Sequence, residues 1–486
     1  MEEDGARRGG HPGLGPDGGG RDLISALPED LLLQVLRRLG CARAAARTSL
    51  LSRHWRGLWR RIAEFTFRDV ALRSLLPALD SLLLADVFLL DIRLPEVTLE
   101  LSPGREEHFV RISSLLRAAA GLSPVELRLR VPPCFPPRQL TPNVLSHSLT
   151  VHLPCFLHAT SIDLLGLDLL FDESLASGSG YMFPMLETLS LFACRVDVHA
   201  LVLQCPRLRV LRAIGCLHGD EDFTVRPATL QELVVQSKVD WTGRIDFEVP
   251  ALNRLVLNVF VERELRVSVS APVVEKVSWM CSYSRAPAAG IGLWGLATLR
   301  LQTESNALFL LMGCLDSYSF PHTELILAQE IQKQLVVTDF SVLNLRFLTT
   351  GHAFGAFLFC LLRIHWIRTA IKCLTIDLQD VQEEETCLAN CPCDEPKSWR
   401  SQTISLNNLE EVEIKVLRGD NHEFATLLLI FRCAPMLKRM TVRLSDEVKT
   451  TSNWRKEMYD IFKAYPLVEC FVRFGLTNSS QSGVAT

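Results

Sequence analysis

Cys387, Cys391 and Cys393, followed by His422, come nearest to a metal site in type and spacing within this 486-residue sequence. Structural zinc is held tetrahedrally by four thiolate or imidazole ligands. Here three cysteines cluster, and the histidine belongs to another unit, so the sequence assigns no metal and reads a cysteine-rich surface loop. A second cluster is basic: Arg37, Arg38, Arg43, Arg47, Arg53, Arg56, Arg60 and Arg61 could together hold phosphate. Their spacing spreads them around successive helices, the pattern of a solvated face, so no nucleic-acid partner is expected. The chain carries no Gly-rich phosphate loop, hydrolase elbow or metal-ligand pair in a supporting context. It is therefore expected to be no enzyme, to need no cofactor, and to act by binding.

The binding residues follow from the elements that would carry them. Aligning LETLSL, LRVLRA, LQELVV, LNRLVL, VEKVSW and LATLRL places their first residues at Leu186, Leu208, Leu230, Leu252, Val274 and Leu296, each 22 apart. A leucine-rich repeat of this period gives one short strand per repeat, and neighbouring strands stack into a parallel sheet because one repeat cannot bury its apolar face alone. Alternation along each strand then turns Ser190, Arg212, Val234, Val256, Ser278 and Arg300 toward the concave surface, with Thr188, Glu232, Arg254, Lys276 and Thr298 in a flanking row. That mixed surface suits a protein target. The ninth repeat position is cysteine at Cys194 and Cys216 and varies elsewhere, so the array is irregular. Residues 125–131 and 161–169 belong to the same solenoid in an open register. An insertion over residues 302–341 breaks the period before further strands at 342–347 and 371–376.

The ends of the chain differ from this middle. Residues 1–20 are polar and glycine-rich, which predicts a disordered tail and no signal peptide. Apolar runs at 307–315 and 353–362 fall short of the roughly 20 residues that a membrane helix needs. No membrane contact is expected, and the chain is assigned to the cytoplasm, the nucleus or both. The 15 cysteines show no disulfide framework, and the net charge of -4 excludes a general attraction to polyanions.

Leu27-Pro28-Glu29-Asp30 opens a first amphipathic helix, which Gly40 stops; a second is expected over 42–51, and a third, capped by Ser52, would carry Trp55 and Trp59. Three short helices bury little alone, so a partner or the solenoid must complete their core. At the other end, Leu409, Val412 and Ile414 recur 28 residues later as Leu437, Met440 and Val442, with a helix expected between them. This longer repeat is expected to close the apolar end of the solenoid.

The segment LISALPEDLLLQVLRRLGCARAAARTSLLSRHWRGLWRRI resembles the F-box of the large plant family of F-box proteins with leucine-rich repeats. Leu-Pro, an acidic residue and two leucines carry the likeness, with the run Arg-Thr-Ser-x-Leu-Ser-Arg-x-Trp-Arg-x-Leu-Trp. Gly40 stands where a proline is common in that family. The resemblance implies docking to a Skp-family adaptor, and through it to cullin and RING subunits, by Leu27, Pro28, Leu31, Leu36, Leu39, Ser52, Trp55 and Trp59. Cys391-Pro392-Cys393 and Trp399 before the last repeats resemble the FBD domain of the same family. The implied order is a tail at 1–20, an F-box at 21–62, a solenoid at 63–380, the loop at 381–400, an FBD domain at 401–475 and a tail at 476–486. The implied fold class is an α/β solenoid: a three-helix F-box, then an irregular leucine-rich-repeat array with its parallel β-sheet on the concave face, closed by a strand-helix-strand FBD block. The implied role is the substrate-recognition subunit of a ubiquitin ligase, whose target sits on Ser190, Arg212, Val234, Arg254, Val256, Lys276, Ser278 and Arg300. A repeat scaffold outside any ligase is the alternative.

Overall fold

The computed structural model describes residues 27–95, 105–132, 150–170, 180–216, 222–241, 243–261, 266–283, 290–291, 294–314, 340–349, 354–380, 399–417, 421–444 and 452–474. The expected tails at 1–20 and 476–486, and the loop holding Cys387, Cys391 and Cys393, lie outside them.

Pro28 sits at φ −52°, ψ 145° and has no N–H to satisfy, so a helix can start directly after it. That helix, Glu29–Arg38, has Glu29 and Asp30 at its positive end and Arg37 and Arg38 at its negative end, as the dipole favours. Gly40 ends it at φ 61°, a left-handed turn that the ring-fixed φ of a proline would not permit. The second helix, Ala42–Arg47, tightens into a single 3-10 turn at Thr48–Leu50. The third expected helix is not α-helical. Residues 53–57 form turns, and Leu58–Arg61 is one 3-10 turn entered through Gly57 at φ 79°. This left-handed glycine between Trp55 and Trp59 interrupts the helical path, and Ser52, the expected cap, leaves its buried Oγ without a hydrogen bond.

The helical module completes its core on the sheet. Trp59 packs edge-on against Phe65, with 6.2 Å between ring centroids, and Phe65 is fully buried in the first strand, Glu64–Arg68. Strands Leu89–Arg93, Glu126–Arg130, Ser161–Leu165, Thr188–Phe192, Val210–Ile214, Glu232–Trp241, Arg254–Val261 and Lys276–Tyr283 follow, each parallel to the one before. Their apolar residues stand in register as the 22-residue period requires: Leu189, Leu211, Leu233, Leu255 and Val277 are neighbours across the sheet. Upstream the open register resolves to Leu90, Leu127, Ile162 and Leu189, at unequal spacings along the chain.

What returns the chain behind the sheet changes along its length. Asp197 accepts the Ala200 N–H at 2.9 Å and starts the short helix Val198–Leu203. Later returns are strands instead: Phe223–Val225, Arg244–Glu248 and Arg266–Ser270 form a second, three-stranded parallel sheet. Alternation in RIDFE and its neighbours turns Phe223, Val225, Ile245 and Phe247 inward, all buried.

The sixth expected repeat is not a repeat. Trp294–Glu304, which contains LATLRL, runs antiparallel to Lys276–Tyr283, with Leu301 opposite Trp279, and then forms a hairpin with Ala307–Cys314. A period-2 apolar pattern carries no strand direction, so Leu301 is buried just as well in the reversed strand. Parallel order resumes with Val342–Thr349, Cys373–Asp380, Glu411–Leu417, Arg439–Leu444 and Glu469–Phe474. Val412 and Ile414 stand beside Met440 and Val442, as the 28-residue spacing predicts, with helix Asn421–Cys433 between. Trp399, which precedes Glu411–Leu417 in the chain, is fully buried. Among the described residues the last block extends the sheet. It adds strands, a second helix Ser452–Lys463, and an edge at Glu469–Phe474 where Cys470 and Val472 stay half-buried.

Candidate functional site: the helical module and the open face of the sheet

Helix Glu29–Arg38 has two apolar stripes. Leu32 and Leu36, at 0% and 1% exposure, belong to the core, whereas Leu31, Val35 and Leu39 remain 43%, 41% and 42% exposed one turn apart. Leu50 and Leu51, at 87% and 68%, add to the exposed apolar surface just after the second helix. Three charged residues, Arg37, Arg38 and Asp30, are exposed around the stripe, and Glu29 pairs with Arg61. A solvent-exposed apolar stripe that the described residues leave uncovered is the kind of surface another molecule covers. Residues 24–65 carry an F-box domain.

The F-box match begins and ends three residues later than the expected 21–62. Two curated proteins of Arabidopsis thaliana share this segment. One, named as an F-box/FBD/LRR-repeat protein, is 50% identical over 46 residues, 10% of this chain and 10% of that protein. The other, named as an F-box protein, is 52% identical over 42 residues, 9% of this chain and 10% of that protein. The shared stretch thus spans about a tenth of either relative's length.

Within the F-box the expected adaptor-facing residues separate by burial. Pro28, Leu31 and Leu39 are on the surface, and Leu27 and Ser52 are half-buried. Leu36 at 1%, Trp55 at 2% and Trp59 at 9% exposure pack into the core. Sequence reasoning missed Val35, Leu50 and Leu51 as surface candidates. Their signal was present: Leu31, Val35 and Leu39 recur four apart beside an independent pair, Leu32 and Leu36, and the module has room to bury one stripe. The arginines at 37, 38, 43, 47, 53, 56, 60 and 61 are all exposed, with Arg60 lying over the Trp59 ring at 5.7 Å.

On the sheet, one face is apolar and buried and the other carries a row of mostly polar side chains. Thr66, Asp91, Arg128, Asp163, Ser190, Arg212, Val234, Val256 and Ser278 are register neighbours in that order. Arg212 and Val256 are half-buried there as expected for a face position, but Ser190 and Val234 are only 6% and 8% exposed, because they are short and stand beside larger neighbours such as Arg212. In the flanking row, Arg254 and Lys276 are exposed, and Arg254 Nη1 lies 3.6 Å from Glu232 Oε2 while Arg212 Nη2 holds Glu232 Oε1 at 2.8 Å. Arg300 is displaced from its expected place beside Ser278: the reversed strand sets Gln302 there and puts Arg300 opposite Met280.

The face extends beyond the residues expected from the regular repeats. Arg93 Nη2 bonds the Asp91 carboxylate at 3.0 Å, and that acceptor raises the Arg93 pKa above the usual guanidinium value. Arg130 reaches Asp163 at 3.5 Å. Beyond the hairpin, Arg300, Gln302, Phe309, Asn344, Arg346 and Asp377 line a recess of about 280 Å³, with Arg346 Nε bonded to Asp377 at 3.1 Å. These positions were legible as x in LLDIR, ELRLR and LNLRFL, but unequal loops hid their register.

Behind the face, Cys194 Sγ reaches the Leu164 carbonyl at 3.4 Å and Cys216 Sγ the Leu191 carbonyl at 3.3 Å, each bridging to the preceding repeat. Burial pushes the Cys194 thiol up to about 11 and the Cys205 and Cys216 thiols up to about 12. These are inert structural thiols rather than nucleophiles. Among the described residues, no group of three metal-ligating side chains could hold an ion, and no helix is long and apolar enough to cross a membrane.

Proposed function

We propose that this chain is the substrate-recognition subunit of a Skp-cullin-F-box ubiquitin ligase. The observation that carries the reading is the F-box match at 24–65 together with its uncovered stripe Leu31, Val35 and Leu39. The stripe docks a Skp-family adaptor, and cullin and RING subunits follow through that adaptor. The polar face of the sheet, with Arg212, Arg254 and Lys276 exposed or half-buried among Ser190, Val234, Val256, Ser278 and Arg300, takes a protein target. The strand-helix-strand block from Glu411 onward is read as an FBD-type extension of the leucine-rich array. The chain does no bond chemistry; holding a target lysine near the ubiquitin thioester raises its effective concentration. Its place is the cytoplasm, the nucleus or both.

Pull-down of a purified Skp adaptor by the full chain tests this, wild type against Leu31→Ala/Leu39→Ala, with circular dichroism as the folding control. Binding that the folded double variant loses supports the receptor. Absence of binding by folded wild type removes the ligase and leaves a free-standing scaffold.

A further inference from the structure

The two ends of the long sheet are finished differently. At the first strand the F-box covers the core, with Trp59 on Phe65. At the last, Glu469–Phe474 pairs with Arg439–Leu444 alone among the described residues. The Glu469 N–H donates to the Lys438 carbonyl at 2.8 Å. Backbone groups alternate sides along a strand, so Glu469, Phe471 and Arg473 turn theirs into the sheet and Cys470 and Val472 turn theirs outward. Cys470 and Val472 also continue the rows of Met440 and Val442, which are fully buried, yet both stay half-buried themselves. Just before the strand, Leu467 is 94% exposed. Free backbone groups beside an open apolar row make a template for another strand.

We propose that this edge pairs with the same edge of a second copy of the chain, antiparallel and centred on Phe471. The sequence of the strand is self-complementary in that register. Cys470 and Val472 of one copy stand opposite Val472 and Cys470 of the other, so the outward backbone groups meet and the two open cores become continuous. Glu469 stands opposite Arg473, and the two-fold axis makes this ion pair twice. Within one chain these charges are poorly used: Glu469 is 3.8 Å from Arg439 with its side chain 69% exposed, and Arg473 is exposed with no ion-pair partner among the described residues. Centring the pairing on Cys470 or Val472 instead would put Glu469 opposite Phe471 or Gly475 and lose both charge pairs. A strand of another protein would find the same backbone but no reason for the matched charges.

Sedimentation equilibrium of the full chain over a range of concentrations tests the pairing. Wild type is expected to rise from the mass of one chain toward two. Glu469→Arg alone, and Arg473→Glu alone, each set like charges opposite one another twice and are expected to weaken self-association at least about tenfold. An equimolar mixture of the two variants restores both opposite-charge pairs and is expected to recover the wild-type mass. Circular dichroism confirms that each variant is folded; should one unfold, Val472→Pro removes an outward N–H without touching the ladder to Arg439–Leu444 and replaces it. A single-chain mass at every concentration, dimers indifferent to the variants, or no recovery on mixing each overturns the proposal.

Discussion

Gly355 lies directly beneath Trp399: a methyl group on its Cα would come within 2.5 Å of the indole Cη2 and 2.6 Å of Thr426 Oγ1. Trp399 is fully buried and Thr426 has no exposed surface, so neither has room to retreat. Gly355→Ala is therefore expected to lower stability by about 1–3 kcal/mol through overpacking. Urea unfolding should show a lower midpoint at an unchanged slope, and adding Trp399→Leu should recover part of the loss in a double-mutant cycle.

The two stripes of helix Glu29–Arg38 should respond oppositely to truncation. Leu36→Ala empties a fully packed position and is expected to cost about 2–5 kcal/mol in stability. Leu31→Ala, on the exposed stripe, is expected to change stability by about 0.5 kcal/mol or less while weakening adaptor binding. Thermal melting and adaptor titration on the same two variants separate the roles; equal losses of stability would show that Leu31 is a core residue.

The interior was the most readable part of this chain, because burial imposes a rule on every repeat. Leu189, Leu211, Leu233, Leu255 and Val277 keep one register since a slip of one residue would turn each of them to solvent. Strand direction was not readable: Leu301 is equally buried in a reversed strand, and only the pairing of Leu301 with Trp279 reveals the reversal. In the F-box, periodicity grouped Leu31, Leu36 and Leu39 as one set, although a helix carries them on different sides. Which stripe faces inward depends on the strand Glu64–Arg68 that completes the core, and that contact is not local in sequence. Trp55 and Trp59 matched a family motif, but a motif records which residues recur and leaves open whether they recur for packing or for contact.

Ion pairs on the open face should matter for recognition rather than stability. Arg212 and Arg254 share Glu232 with 38% and 53% of their side chains exposed, where solvent screens the attraction. Arg212→Ala/Arg254→Ala is expected to shift the unfolding free energy by less than about 1 kcal/mol. In a target-capture assay the same variant should lose bound protein; unchanged capture would move the target off this part of the face.

The buried thiols make the fold sensitive to alkali. Their pKa values are raised in the folded chain, to about 11 at Cys194 and about 12 at Cys205 and Cys216, because burial disfavours the thiolate. Unfolded thiols ionise near pH 8.5, so their contribution is fully present below that value and is lost as pH rises toward the folded values. The urea midpoint should fall from about pH 8.5 upward, and less steeply in Cys205→Ala. Alkylation at pH 8 should leave these cysteines unmodified until denaturant is added.

Trp294–Glu304 and Ala307–Cys314 are joined by Ser305 and Asn306 alone, whereas parallel neighbours such as Leu127 and Ile162 are brought together from far apart in the sequence. A hairpin closes in about 1–10 μs, and each parallel pairing must first overcome a larger loop-closure entropy. The reversed strand thus gives the chain a readily formed nucleus near its middle, from which assembly can proceed outward in two directions, instead of waiting for either end.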